Sequence, residues 1–301
     1  MQANPHSSLP LAKAPSEDYI RRPGKIRLLH VLGSLIPGDY LKTAFYLNCI
    51  DAPRRALRDA LFAFYRYDHV YAVLREFAER TSGPFSVLEF GTSDGYSFVK
   101  LLYATRYLGL EKRTMVHTFD SFEGMPASSD ARDKDWSGDD DWVAGQYRGN
   151  YEALNAYCAR RYSNFRIHRG YFDQSIDEDF LKSLDSHPPA LIWIDCDYYS
   201  SAKTILTRLL DCIPNGAVIY FDELDNMNYG SHLTGEARLV HEINAGMYGG
   251  EVELVPDFRL SLYSRRLYRF MRIPPNRVLA NPEDVAAPEQ VRHRSNGSPM
   301  P

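Results

Sequence analysis

Short apolar runs alternate along the chain with longer segments in which apolar residues recur every three or four positions. The apolar runs predict strands at Phe85–Phe90, Met115–Asp120, Phe165–His168, Ala190–Ile194, Ala217–Phe221, Glu251–Val255 and Leu267–Arg272. The intervening segments predict helices at Tyr96–Leu108, Asn150–Arg161, Phe180–Leu184, Tyr198–Leu210 and Gly235–Met247. This alternation is typical of an α/β protein, so we expect a Rossmann-like, doubly wound, mainly parallel sheet of seven strands.

The two ends of the chain differ from this middle part. A helical spacing of apolar residues covers Arg54–Arg80 and predicts an N-terminal helical extension to the sheet. Proline, serine and charge without periodicity characterise both termini. We therefore divide the chain into a flexible N-terminal arm (1–25), a helical extension or lid (26–83), the α/β domain (84–273) and a disordered, proline-rich tail (274–301).

The composition narrows the classes of partner. The chain has 301 residues, 44% of them hydrophobic, and a net charge of -4, so it lacks the basic field that nucleic-acid binding needs. No apolar run approaches the length of a membrane span, and the N-terminus lacks the apolar core of a signal peptide. The four cysteines show no CxxC spacing, which fits a reducing compartment. We expect a cytoplasmic protein that binds small molecules, not nucleic acid or membranes, and a homo-oligomer is compatible with the sequence.

Acidic residues follow two consecutive predicted strands. Asp195 and Asp197 end the fourth strand, and Asp222 and Glu223 end the fifth. Because the carboxyl ends of parallel strands meet at one edge of a sheet, we expect these carboxylates to lie close together. Clustered carboxylate oxygens suit a hard divalent cation such as Mg²⁺. The alternative is that the acids start loops or cap helices, and for Asp197 we place the cap of the following helix first.

A second candidate site follows the first predicted strand, in VLEFGTSDGYSFVKLL. Glu89 ends the strand, and Gly91 and Gly95 lie in a turn where glycine permits close approach of the backbone to a ligand. The next strand ends at Asp120, and an acid there suits the two ribose hydroxyls of an adenosine-bearing cofactor. A dinucleotide fingerprint needs glycine at Ser93, so S-adenosylmethionine fits better than NAD. The alternative is that the glycines serve the turn alone.

One connection, Ser128–Asp141, is too long and polar for an ordinary link between a strand and a helix. Its sequence SSDARDKDWSGDDD is typical of a solvated acidic loop. The functional alternative is a mobile lid over the candidate site, because the segment leaves the same sheet edge.

Three stretches of the chain stand in a characteristic order: EFGTSDGYS, FDSFEGMP and IDCDYYSSAKTILTRLLDCIPNGAVIYFDE, with GYFDQSI before the last. Together they resemble the macrocin O-methyltransferase (TylF-like) family of class I S-adenosylmethionine-dependent methyltransferases. The resemblance covers roughly residues 84–256 and implies a class I methyltransferase domain within 84–273.

The resemblance implies a cofactor site and a metal site. S-adenosylmethionine is expected on residues at strand ends and turns, namely Glu89, Gly91, Ser93, Gly95, Asp120, Ser121, Gly170, Tyr171 and Phe172. Mg²⁺ is expected on Asp195, Asp222 and Glu223. The family commonly has two consecutive aspartates where this chain has Asp222 and Glu223, so the sequence departs from the pattern at the third ligand.

The implied reaction is methylation of a hydroxyl on a small-molecule acceptor such as a sugar or a natural product. A cation held partly by Asp195 lowers the pKa of the hydroxyl, and alignment with the sulfonium methyl supplies much of the remaining rate. Asp195 and His232 are the candidate catalytic residues, with His232 as general base; the alternation around His168 predicts a sheet histidine instead. Two other functions stay open: a non-catalytic protein that binds adenosine or S-adenosylmethionine, and a nicotinamide-dependent oxidoreductase.

Overall fold

The computed structural model describes residues 68–134, 142–225, 230–249, 251–257, 259–260 and 266–272, together with 32, 35–38, 41 and 44–45. The predicted N-terminal arm and C-terminal tail lie outside the described residues, as does most of the helical extension. The division of the chain into these segments therefore stays a prediction.

A seven-stranded sheet forms the centre of the described structure, in the order β3-β2-β1-β4-β5-β7-β6. Its strands are β1 (Phe85–Phe90), β2 (Thr114–Asp120), β3 (Phe165–Arg169), β4 (Pro189–Ile194), β5 (Val218–Phe221), β6 (Val252–Pro256) and β7 (Leu267–Arg272). The first five strands pair in parallel, and β7 runs antiparallel between β5 and β6. The predicted mainly parallel, seven-stranded sheet is confirmed.

Helices alternate with the strands as the apolar periodicity predicts. They are α1 (Asp68–Arg80), α2 (Tyr96–Tyr107), α3 (Tyr151–Ala159), α4 (Phe172–Ser175), α5 (Glu178–Ser183), α6 (Tyr199–Leu209) and α7 (Gly235–Asn244). Polar side chains start two of them: Asn150 accepts the N–H of Ala153 at 2.8 Å before α3, and Asp177 accepts that of Phe180 at 2.7 Å before α5. The single turn α4 was not predicted, because four residues are too few to show a helical period. None of the described helices combines the length and the apolar character that crossing a membrane requires.

Apolar side chains cover both faces of the sheet, which explains why its central strands β1, β4 and β5 are buried along their whole length. Val87, Trp193 and Tyr220 pack on one face with α1, α2 and α3, and Leu88 and Ile192 pack on the other with α5, α6 and α7. The strand order reverses between β1 and β4, which are hydrogen-bonded neighbours. In open α/β sheets ligands bind at the carboxyl ends of the strands beside such a reversal, and both predicted sites lie there.

Candidate active site

Gly91 brings the turn after β1 into contact with the end of β4. Its φ is +93°, and a Cβ built on it would lie 1.7 Å from the carbonyl oxygen of Asp195. The Asp195 N–H donates to the carbonyl oxygen of Phe90 at 2.8 Å, and the Gly91 N–H donates to that of Phe119 at 3.0 Å. A side chain at position 91 would force these backbones apart. The predicted cofactor turn and the predicted metal site therefore adjoin each other.

The second glycine of the turn has a packing role. Gly95 has a φ of +78°, and a Cβ there would lie 2.2 Å from a methyl carbon of Leu154 on α3. Ser93, between the two glycines, also has a positive φ, of 45°. The turn geometry thus accounts for both glycines whether or not a cofactor contacts them, and their cofactor role stays a prediction.

Asp120 ties the end of β2 to this turn. One carboxylate oxygen accepts the N–H groups of Thr92 at 2.7 Å and Ser93 at 2.9 Å, and the other accepts that of Phe122 at 2.6 Å. The neighbouring Ser121 hydroxyl accepts the N–H of Glu123 at 3.1 Å. Asp120 and Ser121 therefore stand at the predicted place, and Asp120 shapes the turn through three backbone bonds. The sequence predicts a ribose contact for Asp120, and the structure adds these backbone bonds to its role.

Glu89 is fully buried beneath the turn. Thr118 donates to one of its carboxylate oxygens at 2.5 Å. Burial raises the pKa of Glu89 from its usual 4.5 to about 8, hydrogen bonds from Ser97 and Thr118 lower it, and the charge of Asp120 raises it slightly. Glu89 therefore carries a proton at neutral pH.

The predicted adenine-flanking residues lie beside the end of β2. Gly170 donates its N–H to the carbonyl oxygen of Asp120 at 2.9 Å. Tyr171 is partly exposed and donates its hydroxyl to Glu123 at 3.4 Å, and the Phe172 ring packs edge-on against Phe90 with centroids 5.8 Å apart. The structure thus brings all the predicted cofactor residues to the ends of β1, β2 and β3.

Three carboxylates form a cluster at the ends of β4 and β5. Ligand atoms of Asp195, Asp197 and Glu223 all lie within 4.8 Å of one another. Burial, then the charges of Glu223 and Asp222, raise the pKa of Asp197 well above its ordinary value. A cation bound between these carboxylates would offset their mutual repulsion.

Asp197 belongs to this cluster and does not cap the helix that follows, so the predicted cap was wrong. Helix α6 starts after Tyr198, whose side chain makes no capping bond. The orphan amide of Ser200 is instead satisfied by Asp133, which accepts its N–H at 2.8 Å and its hydroxyl at 2.7 Å. Asp197 has a φ of +64°, which turns its backbone away from a capping geometry.

Asp222 is held apart from the cluster. Its carboxylate accepts the hydroxyl of Tyr220 at 2.6 Å and lies 3.5 Å from the guanidinium of Arg266. Among the described residues, the structure therefore groups Asp197, and not Asp222, with Asp195 and Glu223. This differs from the predicted metal set because a tyrosine two residues earlier on the same strand face and a buried arginine draw Asp222 towards β7.

Glu236, in the first turn of α7, was missed by sequence reasoning. It is only 1% exposed, and one carboxylate oxygen accepts the backbone N–H of Glu223 at 3.1 Å. Burial raises its pKa well above the ordinary value, and the charges of Glu223, Asp222, Asp197 and Asp195 raise it further. A signal was present: Glu236 shares the helical spacing of the buried Leu239, Val240 and Ile243, so an acid stands on the apolar face of the helix.

A stack of aromatic rings on β4 and β5 lies next to the aspartates that follow these strands. Trp193 and Tyr220 are paired across β4 and β5, with ring centroids 3.9 Å apart. Trp193 donates its indole N–H to Asp195 at 3.3 Å, as Tyr220 donates its hydroxyl to Asp222. His69 of α1 stacks on both rings, with centroids 5.5 Å from Trp193 and 5.0 Å from Tyr220. Each aspartate is thus oriented by an aromatic donor two residues before it.

Four of the described histidines form two pairs. His232 is exposed, and its ring lies 4.8 Å from that of the exposed His241 on α7, so its described contact is with that histidine and not with the carboxylates. His168 is hydrogen-bonded to His117 across β2 and β3 at 2.9 Å, as expected of a sheet histidine. Burial lowers the pKa of His117 to about 3 and that of His168 to about 4.

The start of the acidic connection, predicted as a solvated loop, docks on the fold through Asp133 and Arg132. Asp133 is 2% exposed, and besides Ser200 it accepts the hydroxyl of Ser128 at 2.5 Å. The Arg132 guanidinium lies over the Tyr199 ring, 4.4 Å from its centroid. Residues 135–141 lie outside the described part, and the lid hypothesis stays a prediction.

Comparisons with known proteins agree with this geometry. Residues 88–224 match the sequence model of a family described as a methyltransferase domain. Among solved structures, the calicheamicin methyltransferase CalS11 is similar at 16% identity and a TM-score of 0.50, over 88% of this chain and 99% of CalS11. The O-methyltransferase NovP is similar at 16% identity and a TM-score of 0.49, over 69% of this chain and 80% of NovP. No curated protein sequence matches the chain.

The fold and the matched domain define the class of this protein. The CalS11 likeness shows the fold, and the family match runs from residue 88, within β1, to residue 224, just after β5, and so spans the strand ends that carry the two sites. The chain is an S-adenosylmethionine-dependent methyltransferase. The narrower resemblance to the macrocin O-methyltransferase family stays a prediction.

Proposed function

We propose that the protein methylates a hydroxyl of a small-molecule acceptor with the help of Mg²⁺. The observation that carries this proposal is the contact between Gly91 and Asp195, which sets the turn after β1 directly against the carboxylate cluster. A sulfonium methyl seated on that turn would face an oxygen held at the cluster. Such a juxtaposition is what in-line methyl transfer needs.

For the cofactor, we propose the residues at the ends of β1, β2 and β3. Asp120, which holds the turn, would meet the ribose, and Ser121 lies beside it. Gly170, Tyr171 and Phe172 would flank the adenine; the partly exposed Tyr171 ring offers an aromatic surface there. Glu89, protonated at neutral pH, would support Gly91, Ser93 and Gly95 from beneath.

For the metal, the donor set of this structure fits a hard divalent cation. Asp195, Asp197 and Glu223 offer carboxylate oxygens within 4.8 Å of one another, which is a suitable spread for ligands of one ion. The bound cation would lower the pKa of an acceptor hydroxyl. We assign Asp222 a supporting place behind these three, where Tyr220 and Arg266 hold it.

Asp197 replaces His232 as our proposed proton acceptor. A carboxylate has two oxygens, so Asp197 can face the cation with one and take the hydroxyl proton on the other. Bound S-adenosylmethionine would supply the methyl group: the hydroxyl oxygen, with its proton passed to Asp197, would bond to the methyl carbon as the carbon–sulfur bond breaks and its electron pair goes to sulfur, which yields S-adenosylhomocysteine. His232 lies against His241, on the exposed side of α7, and offers no described contact to the cluster.

The acceptor we propose is a sugar or natural product with adjacent hydroxyls, because two neighbouring oxygens can approach one cation. CalS11, the structural relative, is named a calicheamicin methyltransferase and in a second structure a TDP-rhamnose 3'-O-methyltransferase. A cytoplasmic location, a homo-oligomeric state and the absence of a nucleic-acid or membrane partner remain predictions from the sequence.

Calorimetric titration of the purified protein tests the proposal. We expect S-adenosylhomocysteine to bind with or without Mg²⁺ and NAD not to bind. Methyl transfer to a panel of hydroxylated sugars and natural products should then require Mg²⁺ and stop in EDTA. Binding of NAD would support the oxidoreductase alternative, full activity in EDTA would remove the metal from the proposal, and binding without any transfer would support the non-catalytic alternative.

A further inference from the structure

Two buried glutamates on α7 have opposite surroundings. Glu242 is fully paired: it accepts the hydroxyls of Tyr199 at 2.5 Å and Tyr248 at 2.9 Å, and the guanidinium N–H of Arg238 at 2.7 Å. These bonds keep the pKa of Glu242 below its ordinary value in spite of burial. Glu236, six positions earlier, is at least as buried. The same residue type on one helix thus allows a matched comparison.

Only one of the two carboxylate oxygens of Glu236 has a hydrogen-bond partner among the described residues. One of its carboxylate oxygens accepts the backbone N–H of Glu223 at 3.1 Å. The other oxygen is buried and has no hydrogen-bond partner among the residues that the structure describes. A buried acceptor without a partner is costly, and a buried carboxylate without one is more so.

The charges around Glu236 are negative and do not offset the negative charge of its own carboxylate. The groups that act on it electrostatically are the carboxylates of Glu223, Asp222, Asp197 and Asp195. The described ion pairs of Arg266, the buried arginine at Asp222, are with Asp222 and Asp225. The carboxylate of Glu236 therefore lies in a field of negative charge, which a cation at the cluster would compensate.

We propose that Glu236 is a positioning residue of the cation site, through which α7 is coupled to cation binding. It holds Glu223 by the backbone, and its unpaired carboxylate oxygen adds to the negative field that the cation neutralises. Glu236 is not among the three clustered ligands, so it acts through Glu223. The inference rests on the proposed metal dependence and assigns a role to a residue outside the predicted metal set.

The test compares Glu236→Gln with Glu242→Gln in the full-length protein. Each protein is freed of metal with EDTA, its thermal unfolding is measured, and Mn²⁺ is titrated with detection of the free ion by electron paramagnetic resonance. We expect Glu236→Gln to unfold, without metal, at the same temperature as the wild type or a higher one. We expect it to bind Mn²⁺ about tenfold more weakly, because the loss of a residue that supports a metal ligand typically weakens metal affinity by about that factor. Glu242→Gln should unfold at a lower temperature and bind Mn²⁺ as the wild type does.

The outcomes separate this inference from the proposed function. If the wild type does not bind Mn²⁺, the proposed metal dependence fails. If the wild type binds Mn²⁺ and Glu236→Gln binds it equally well, the role of Glu236 is refuted and the metal site stands. A Glu236→Gln protein that is less stable without metal, or that does not fold, also refutes the inference, because it would show that the carboxylate is structural like Glu242. An equal loss of Mn²⁺ affinity in Glu242→Gln would assign the effect to α7 packing in general.

Discussion

The ends of β1 and β2 carry acids, as do the ends of β4 and β5. The two regions differ in what offsets the free-energy cost of burying these carboxylates. Asp120 receives three backbone N–H groups, and Glu89 is protonated and bonded to Thr118. Asp195, Asp197 and Glu223 instead face one another within 4.8 Å. An acid at a strand end therefore does not by itself predict a metal site; the donors around it decide.

The difference follows from what surrounds each strand end. The turn after β1 points its amides at Asp120, so the chain itself supplies the positive partial charge. At β4 and β5 the described donors, Trp193 and Tyr220, are neutral, and Arg266 is shared with Asp225. The first region is complete without an ion, whereas the proposed cation would complete the second.

The largest effect is expected for Asp195→Asn, which removes a charged ligand from the cluster. We expect kcat to fall about a thousandfold, since a metal-assisted step is worth several kcal/mol. S-adenosylhomocysteine affinity should stay within about threefold, because the contact of Asp195 with Gly91 is made by the backbone. Rate assays and calorimetry measure both.

Two further variants calibrate this prediction. Asp222→Asn should cost less, about tenfold, because Asp222 lies outside the group of three. Asp185→Asn, at an exposed position, serves as the neutral control. Equal losses for Asp195→Asn and Asp222→Asn would show that Asp222 is a ligand after all.

The next largest effect is expected for Asp120→Asn, which tests the region at the ends of β1 and β2, where the chain itself supplies the hydrogen-bond donors. An amide cannot accept all three N–H groups, so we expect the turn to loosen and S-adenosylhomocysteine affinity to fall about a hundredfold. Calorimetry measures the affinity. The control is Asp177→Asn, since asparagine caps a helix as well as aspartate does. An unchanged affinity would remove Asp120 from the cofactor site.

The pH dependence of stability tests Glu89. Its pKa is about 8 in the folded protein against 4.5 ordinarily, so its contribution is fully present below about pH 4.5 and is lost as the pH rises towards 8. Glu89→Gln lacks this loss, so its free energy of unfolding relative to the wild type should rise by about 2 kcal/mol from about pH 5.5 to about pH 7. Urea unfolding without cofactor measures it, with the exposed Glu79→Gln as control. A difference that does not change with pH would mean that Glu89 is ionised throughout.

The smallest effect is expected for Tyr220→Phe, which removes the 2.6 Å hydrogen bond to Asp222 and keeps the ring stack. We expect the free energy of unfolding to fall by about 1–2 kcal/mol and Mn²⁺ affinity to change by less than about threefold. Denaturant unfolding and Mn²⁺ titration give the two values. A large loss of Mn²⁺ affinity would place Asp222 in the cation site and weaken the distinction drawn between it and Asp197.

Much of the fold was predictable because it depends on local patterns. The bounds of β1 and β7 agree with the prediction, and those of α2 and α6 differ by one residue at the ends. The acidic strand ends at Asp120, Asp195 and Glu223 were predictable too, since they follow directly from the strands. The role of Asp197 was not, because a cap and a ligand have the same sequence signature.

The sequence by itself determined the strands, the helices and the edge at which the acids gather, since periods of two and of three to four residues act between near neighbours. Only the tertiary structure decided which acids meet. Asp133 reaches Ser200 across 67 positions, and Glu236 reaches Glu223 across 13. The directions of Asp222 and Glu236 depend on such partners, Arg266 for Asp222 and the backbone of Glu223 for Glu236, because a carboxylate turns towards the donors that folding brings to it.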